Sequence, residues 1–128
     1  MSPADAATMP RVLVVDDAPV DREVLGRILR DAGCEVLTAT NGVEALELAR
    51  RFRPALVLMD IVMPEMDGFS ACRRLAADRV TRGVPVVFVS SKSQRADRMW
   101  ARMQGGLDLI GKPIEAGAVL QTLRHAHG

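Results

Sequence analysis

Val12-Leu13-Val14-Val15-Asp16-Asp17 and Leu56-Val57-Leu58-Met59-Asp60 are two apolar runs that each end abruptly in carboxylates. A third, looser run from Leu107 to Ile110 leads to Lys112-Pro113. Short apolar runs without polar alternation read as strands buried on both faces, and such strands belong to parallel sheets. If the three are neighbours, three carboxylates and one ammonium converge at one edge of the sheet. That edge lies beyond the carboxyl ends of the strands, where open α/β sheets bind ligands.

Working outward, five strand-like runs (about 11–16, 35–39, 55–60, 84–89 and 107–111) alternate with five helix-like ones (about 20–32, 42–52, 68–78, 94–104 and 115–126). Val20, Val24, Leu25, Ile28 and Leu29 form the apolar stripe of the first helix, opposite Arg22, Arg27 and Arg30. Gly33 sits where a helix C′ residue belongs, Asn41-Gly42 opens the second helix, and Pro54 keeps that helix out of the third strand. Strict alternation with short connections predicts an α/β fold: a five-stranded parallel sheet with helices on both faces. The expected strand order is 2-1-3-4-5, flavodoxin-like, whose switch point between strands 1 and 3 brings Asp16, Asp17 and Asp60 together.

The chain has 128 residues, 48% of them hydrophobic, and a formal net charge of +1. One domain is expected at residues 11–128, preceded by a flexible tail at 1–10 that lacks the regions of a signal peptide. The charge balance predicts no nucleic-acid partner, and no apolar stretch approaches the ~18 residues of a spanning helix. A cytoplasmic monomer is the expectation. Cys34 and Cys72 match neither a metal spacing nor a disulfide framework and read as buried free thiols. Among 17 basic residues the only lysines are Lys92 and Lys112, which suggests that those two stand there for their chemistry.

A single aspartate at a strand end is ordinarily a helix cap or a solvated loop residue, and Asp17 could cap the helix near Pro19. Three together are costly, since two like charges ~5 Å apart repel by about 3 kcal/mol at an effective dielectric of ~20. A divalent cation removes that cost, and Mg²⁺ suits carboxylates while keeping positions for water and phosphate oxygens. Three carboxylates, Lys112 and Mg²⁺ sum to zero charge. A neutralised cluster with an accessible carboxylate suits phosphoryl transfer onto aspartate, which needs alignment and charge on the phosphoryl oxygens. Ser90, closing the run Val86-Val87-Phe88-Val89, supplies a hydroxyl at the end of the fourth strand.

With these pieces in place, the chain resembles the response-regulator receiver domains of two-component signalling over about residues 11–126. Val14-Val15-Asp16-Asp17, Leu58-Met59-Asp60-Ile61-Val62-Met63-Pro64 with Asp67-Gly68, Val89-Ser90-Ser91-Lys92, and Lys112-Pro113 carry the resemblance. It implies that Asp60 is the phosphoacceptor. It implies further that Asp16, Asp17, Asp60 and the Val62 carbonyl hold Mg²⁺, that Ser90 is the switch hydroxyl and that Lys112 contacts the phosphoryl group. A cis peptide before Pro113, a partner histidine kinase and an unidentified downstream protein are also implied. Ser91-Lys92-Ser93-Gln94, Asp97-Arg98-Met99-Trp100 and Gln104-Gly105 narrow the similarity to stand-alone receivers of type IV pilus (twitching) chemotaxis-like systems.

The chain departs from that family at Leu109, where an aromatic switch residue is usual, and at Gly106-Leu107, where Ala and a polar residue are usual. Val62 and Lys92, flanking the pocket, offer no acid or amide to orient water, so slow hydrolysis is expected. Trp100 is expected to be a core or half-buried filler, and Arg95, Arg98 and Arg102 a solvated face.

The leading expectation is a signalling module, not an enzyme, ending at Gly128 without an output domain. It would act by protein contact or as a phosphate sink for a chemotaxis-like kinase. A small phosphatase of the haloacid-dehalogenase type would want a second Asp where Val62 stands. A flavin carrier would want a Ser/Thr/Gly-rich loop where Asp16-Asp17-Ala18-Pro19 stands.

Overall fold

The alternation seen in the sequence becomes a five-stranded, all-parallel sheet in the computed structural model, which describes residues 9–126. The order is β1 (Arg11–Val15), α1 (Pro19–Asp31), β2 (Glu35–Ala39), α2 (Gly42–Phe52), β3 (Leu56–Asp60), α3 (Gly68–Ala77), β4 (Val86–Ser90), α4 (Arg95–Met103), β5 (Asp108–Gly111) and α5 (Ala116–Gln121), closed by a 3₁₀ turn at Thr122–His125. The strands run in the order β2-β1-β3-β4-β5, as expected. Of the expected tail at residues 1–10, all but Met9 and Pro10 lie outside the described residues.

The apolar runs of β1, β3 and β4 follow from burial on two faces. Leu13, Val15, Val57, Met59 and Phe88 point to one side, where they meet Ala45 and Ala49 of α2, Ala71 and Leu75 of α3, and Ala101 of α4. Their sequence neighbours Val12, Val14, Leu56, Leu58, Val87 and Val89 point to the other, against Leu25 and Leu29 of α1 and Val119 of α5. Each large side chain so buried contributes about 1.5–3 kcal/mol, so the central strands are the most stable part of the molecule. Both cysteines are buried and free. Burial pushes both thiols up, Cys72 to about 11, so neither is a thiolate at neutral pH.

The helix ends follow their local chemistry. Asn41 accepts the Glu44 N–H at 2.8 Å, Asp67 accepts that of Ser70 at 2.8 Å, and Pro19 opens α1. Gly33, at φ +92°, ends α1 by donating to Arg30 O, while Cys34 donates to Leu29 O.

Most element ends lie within one residue of the expected ones, and the larger departures are at β4 and the last helix. β4 begins at Val86 rather than 84 because the Val84 N–H is spent on Thr81 O in the preceding turn and Pro85 has none to give. The strand runs one residue further, taking in Ser90. The last helix is not continuous to 126: at Thr122, whose hydroxyl donates to Val119 O, it tightens to 3₁₀. The α1 stripe is also narrower than its pattern, for Val20 is 73% exposed and Val24 is exposed as well. At that end of the helix, Ala18 N–H and Arg22 both donate to Asp16, the residue that follows β1.

Candidate functional site

Parallel order places the ends of β1, β3, β4 and β5 along one rim, each delivering a side chain there. Asp16 and Asp17 follow β1, Asp60 and Ser90 are the last residues of β3 and β4, and Lys112 follows β5. The pairing extends past the assigned ends: Asp16 N–H donates to Ala39 O at 3.1 Å and Lys112 N–H to Ser90 O at 2.9 Å. These bonds fix the backbone that carries two of the charged groups. From the other side, α3 begins almost on top of β3. Gly68 donates to Ile61 O at 2.7 Å, and a Cβ on Gly68 would stand 2.1 Å from Asp60 O. Only glycine permits that approach.

Carboxylate oxygens of Asp16, Asp17 and Asp60 lie within 4.8 Å of one another. Asp16 is fully buried, Asp17 is exposed, and the Asp60 side chain is 13% exposed, so Asp60 is sheltered yet open at the rim. Burial pushes the Asp60 carboxyl up from 3.8 to about 6, helped by the Asp16 and Asp17 charges and opposed by Lys112 and the Ile61 N–H. The Ile61 N–H donates to Asp60 Oδ1 at 2.9 Å. Three hard oxygen donors around a site where one carboxyl is destabilised by its neighbours fit a small divalent cation. Lys112 Nζ is 3.7 Å from Asp60 Oδ2. Burial alone would lower the Lys112 pKa, but hydrogen bonds to Asp21 and Asp16 and the Asp16 and Asp60 charges raise it, so the ammonium stays charged. Ser90 Oγ accepts the Lys92 N–H at 3.0 Å, and the residue is 8% exposed.

The rim therefore assembles every expected side chain except that of Val62, which is 80% exposed and was expected to contribute only its carbonyl. It also holds one residue that sequence reasoning missed. Asp21, in the first turn of α1, accepts from Lys112 Nζ at 3.0 Å, with Asp16 at 3.1 Å. The expected charge sum is thus corrected: four carboxylates, one ammonium and one divalent cation leave −1, not zero. A signal existed, since Asp21 is the only acid of the first α1 turn and that turn starts at the rim.

Of the two lysines, Lys112 places its ammonium among the rim carboxylates. Lys92 is exposed and lines a cleft of ≈ 290 Å³ with Ile61, Val62, Phe69, Ser90, Ser91, Asp97 and Trp100. Trp100 is 50% exposed and so a half-buried wall of that cleft, not a core residue. Arg95, Arg98 and Arg102 are exposed, as expected. Leu109 is 1% exposed and packs with Phe88 in the core. Gly106 has a steric reason as well: a Cβ there would lie 2.5 Å from the Phe88 ring. The Lys112–Pro113 peptide is cis.

Fold and rim together define a receiver, and residues 12–124 match the response regulator receiver domain, so this chain belongs to that family. Among its relatives, protein PilH of Pseudomonas aeruginosa is 42% identical over 115 residues, covering 90% of this chain and 95% of the relative. That similarity agrees with the narrower resemblance to stand-alone pilus-system receivers. Chemotaxis response regulator CheY4 of Vibrio cholerae superposes with a TM-score of 0.85 at 30% identity, covering 91% of this chain and 98% of that one. The receiver domain of a sensor histidine kinase from Pseudomonas aeruginosa PAO1, solved with a magnesium ion coordinated in its active-site cleft, superposes at 0.83 with 30% identity, covering 91% and 96%. No helix among the described residues is long and apolar enough to cross a membrane.

Proposed function

We propose that this chain, as a receiver unit spanning residues 11–128, is a phosphorylation-driven switch. Asp60 accepts a phosphoryl group from a phosphohistidine of a partner kinase. The observation that carries this reading is the grouping of the Asp60 carboxylate with Asp16 and Asp17 on one side and the Lys112 ammonium at 3.7 Å on the other. In the transfer, an Asp60 oxygen forms a bond to phosphorus as the donor P–N bond breaks. The electron pair leaves with the imidazole nitrogen, which takes a proton. Such transfer asks the protein for alignment and charge rather than covalent chemistry.

Asp16, Asp17, Asp60 and the Val62 carbonyl would hold Mg²⁺, which when bound neutralises charge on the phosphoryl oxygens and the carboxylates alike. Lys112 contacts a second phosphoryl oxygen, and Ser90 gives up the Lys92 N–H to donate its hydroxyl to a third. Because Ser90, Lys92 and Trp100 line one cleft, that rotation changes the surface a downstream protein meets, in a pilus chemotaxis-like pathway as the similarity to PilH suggests. Leu109 favours a second reading, a phosphate sink for the same kinase, because it cannot hydrogen-bond or present a ring.

The test is Trp100 fluorescence on addition of Mg²⁺ and beryllofluoride, a phosphoryl mimic. A change is expected in the parent, none in Asp60→Asn and little in Ser90→Ala. A full response in Asp60→Asn would refute the function, and one in Ser90→Ala would mean that the signal leaves by another route.

A further inference from the structure

Lys112 is shared unevenly among the carboxylates of the rim. Its ammonium lies 3.0 Å from Asp21 and 3.1 Å from Asp16, both hydrogen bonds, but 3.7 Å from Asp60, beyond hydrogen-bond range. Asp21 stands apart from the three acids whose oxygens cluster for a metal. An acid in a first helical turn is ordinarily explained by the helix dipole, yet that role requires no lysine. α1 has no side-chain cap either, since Ala18 occupies the N-cap. Its first turn is fastened to the rim by three contacts instead: Arg22 donating to Asp16 O, Ala18 N–H donating to the Asp16 carboxylate, and Lys112 donating to Asp21. Only the last involves a cation that is also within ion-pair reach of Asp60.

We propose that Asp21 is a positioning residue, which draws the Lys112 ammonium toward α1 and competes for it with a phosphoryl group on Asp60. The proposal rests on Asp60 being the phosphoacceptor. An ammonium has three N–H donors, and Asp16 and Asp21 occupy two of them in the unmodified protein. A phosphoryl group brings about two negative charges to Asp60 and draws the ammonium, 3.7 Å away in the unmodified protein, toward β3 and off Asp21, weakening that hydrogen bond. The Asp21 contact then exists in one state and is weakened in the other, which is the differential interaction that sets a two-state equilibrium. Asp21 thereby holds back the phosphorylated conformation. Its release frees the first turn of α1 from one of its three fastenings, giving the signal an exit that needs no aromatic residue at position 109.

Beryllofluoride titrated calorimetrically into the full chain at saturating Mg²⁺ tests this, beside ¹⁵Nζ spectra of the lysine-labelled protein. With Lys92 the only other lysine, the Lys112 signal has an internal control. Asp21→Asn, which keeps shape and removes charge, is expected to bind beryllofluoride about 5-fold more tightly, ~1 kcal/mol. In its free form the Lys112 signal is expected to move toward its beryllofluoride-bound position while Lys92 stays. Asp21→Glu is expected to bring both readouts back toward the parent. A helix-dipole role alone would shift thermal stability and neither readout. Parent-like affinity in Asp21→Asn, or tighter binding with an unmoved Lys112 signal, would overturn the proposal while leaving the phosphoacceptor intact. A parent that fails to bind beryllofluoride would overturn both.

Discussion

Replacing Asp60 by Asn is expected to stabilise the metal-free protein, and by an amount that depends on pH. The folded state raises the Asp60 carboxyl from 3.8 to about 6, a net shift that already includes the opposing help of Lys112 and the Ile61 N–H. At 1.36 kcal/mol per pKa unit this is about 3 kcal/mol against folding once the group is ionised. Between pH ~4 and ~6 the folded chain binds more protons at Asp60 than the unfolded chain, so stability falls as pH rises through that window and levels off above it. Asn keeps the acceptor that Ile61 uses and removes the charge. Its advantage over the parent is therefore small near pH 4 and full near pH 7.5, where it corresponds to about 10 °C in Tm for a domain of this size. Paired urea and thermal melts in chelator across that range measure it. Saturating Mg²⁺ should shrink the difference, because the cation stabilises the ionised parent. An Asp60→Asn protein less stable than the parent at pH 7.5, or an advantage unchanged from pH 4 to 7.5, would refute the reasoning.

Three further outcomes follow from the same rim. Asp17→Asn should weaken Mg²⁺ binding about tenfold or more by calorimetry, ~1.4 kcal/mol; unchanged affinity would remove Asp17 from the metal set. Lys112→Arg should fold and bind Mg²⁺ but respond poorly to phosphorylation, since a planar guanidinium fork does not replace a compact ammonium between Asp16 and Asp21; a full Trp100 fluorescence response would count against that. Gly68→Ala should cost about 3 kcal/mol in urea denaturation, because its Cβ has no space beside Asp60 O; a neutral substitution would show that α3 can withdraw from the rim.

Much of this was readable in the sequence. Strands buried on both faces leave a continuous apolar signature, so β1 and β3 and their terminal carboxylates were plain, and strict alternation fixed the sheet order. The rest depended on contacts that periodicity does not encode. Val20 matches the apolar stripe of α1, but whether a first turn lies over the sheet or beside its rim depends on where the loop from Asp17 delivers the chain. The start of β4 turned on whether the Val84 N–H went to the ladder or to Thr81. Asp21 was hidden for a related reason. Its spacing is that of any polar helix residue, and its pairing with Lys112 spans 91 positions of sequence.

The central claim, that Asp60 takes the phosphoryl group, is tested most directly by intact-mass spectrometry. The protein is incubated with a small-molecule phosphodonor with and without Mg²⁺, and the adduct is located by peptide mapping. A single Mg²⁺-dependent phosphoryl adduct is expected in the parent, located at Asp60, and none in Asp60→Ala. An adduct that persists in Asp60→Ala, or forms equally well in chelator, would contradict it.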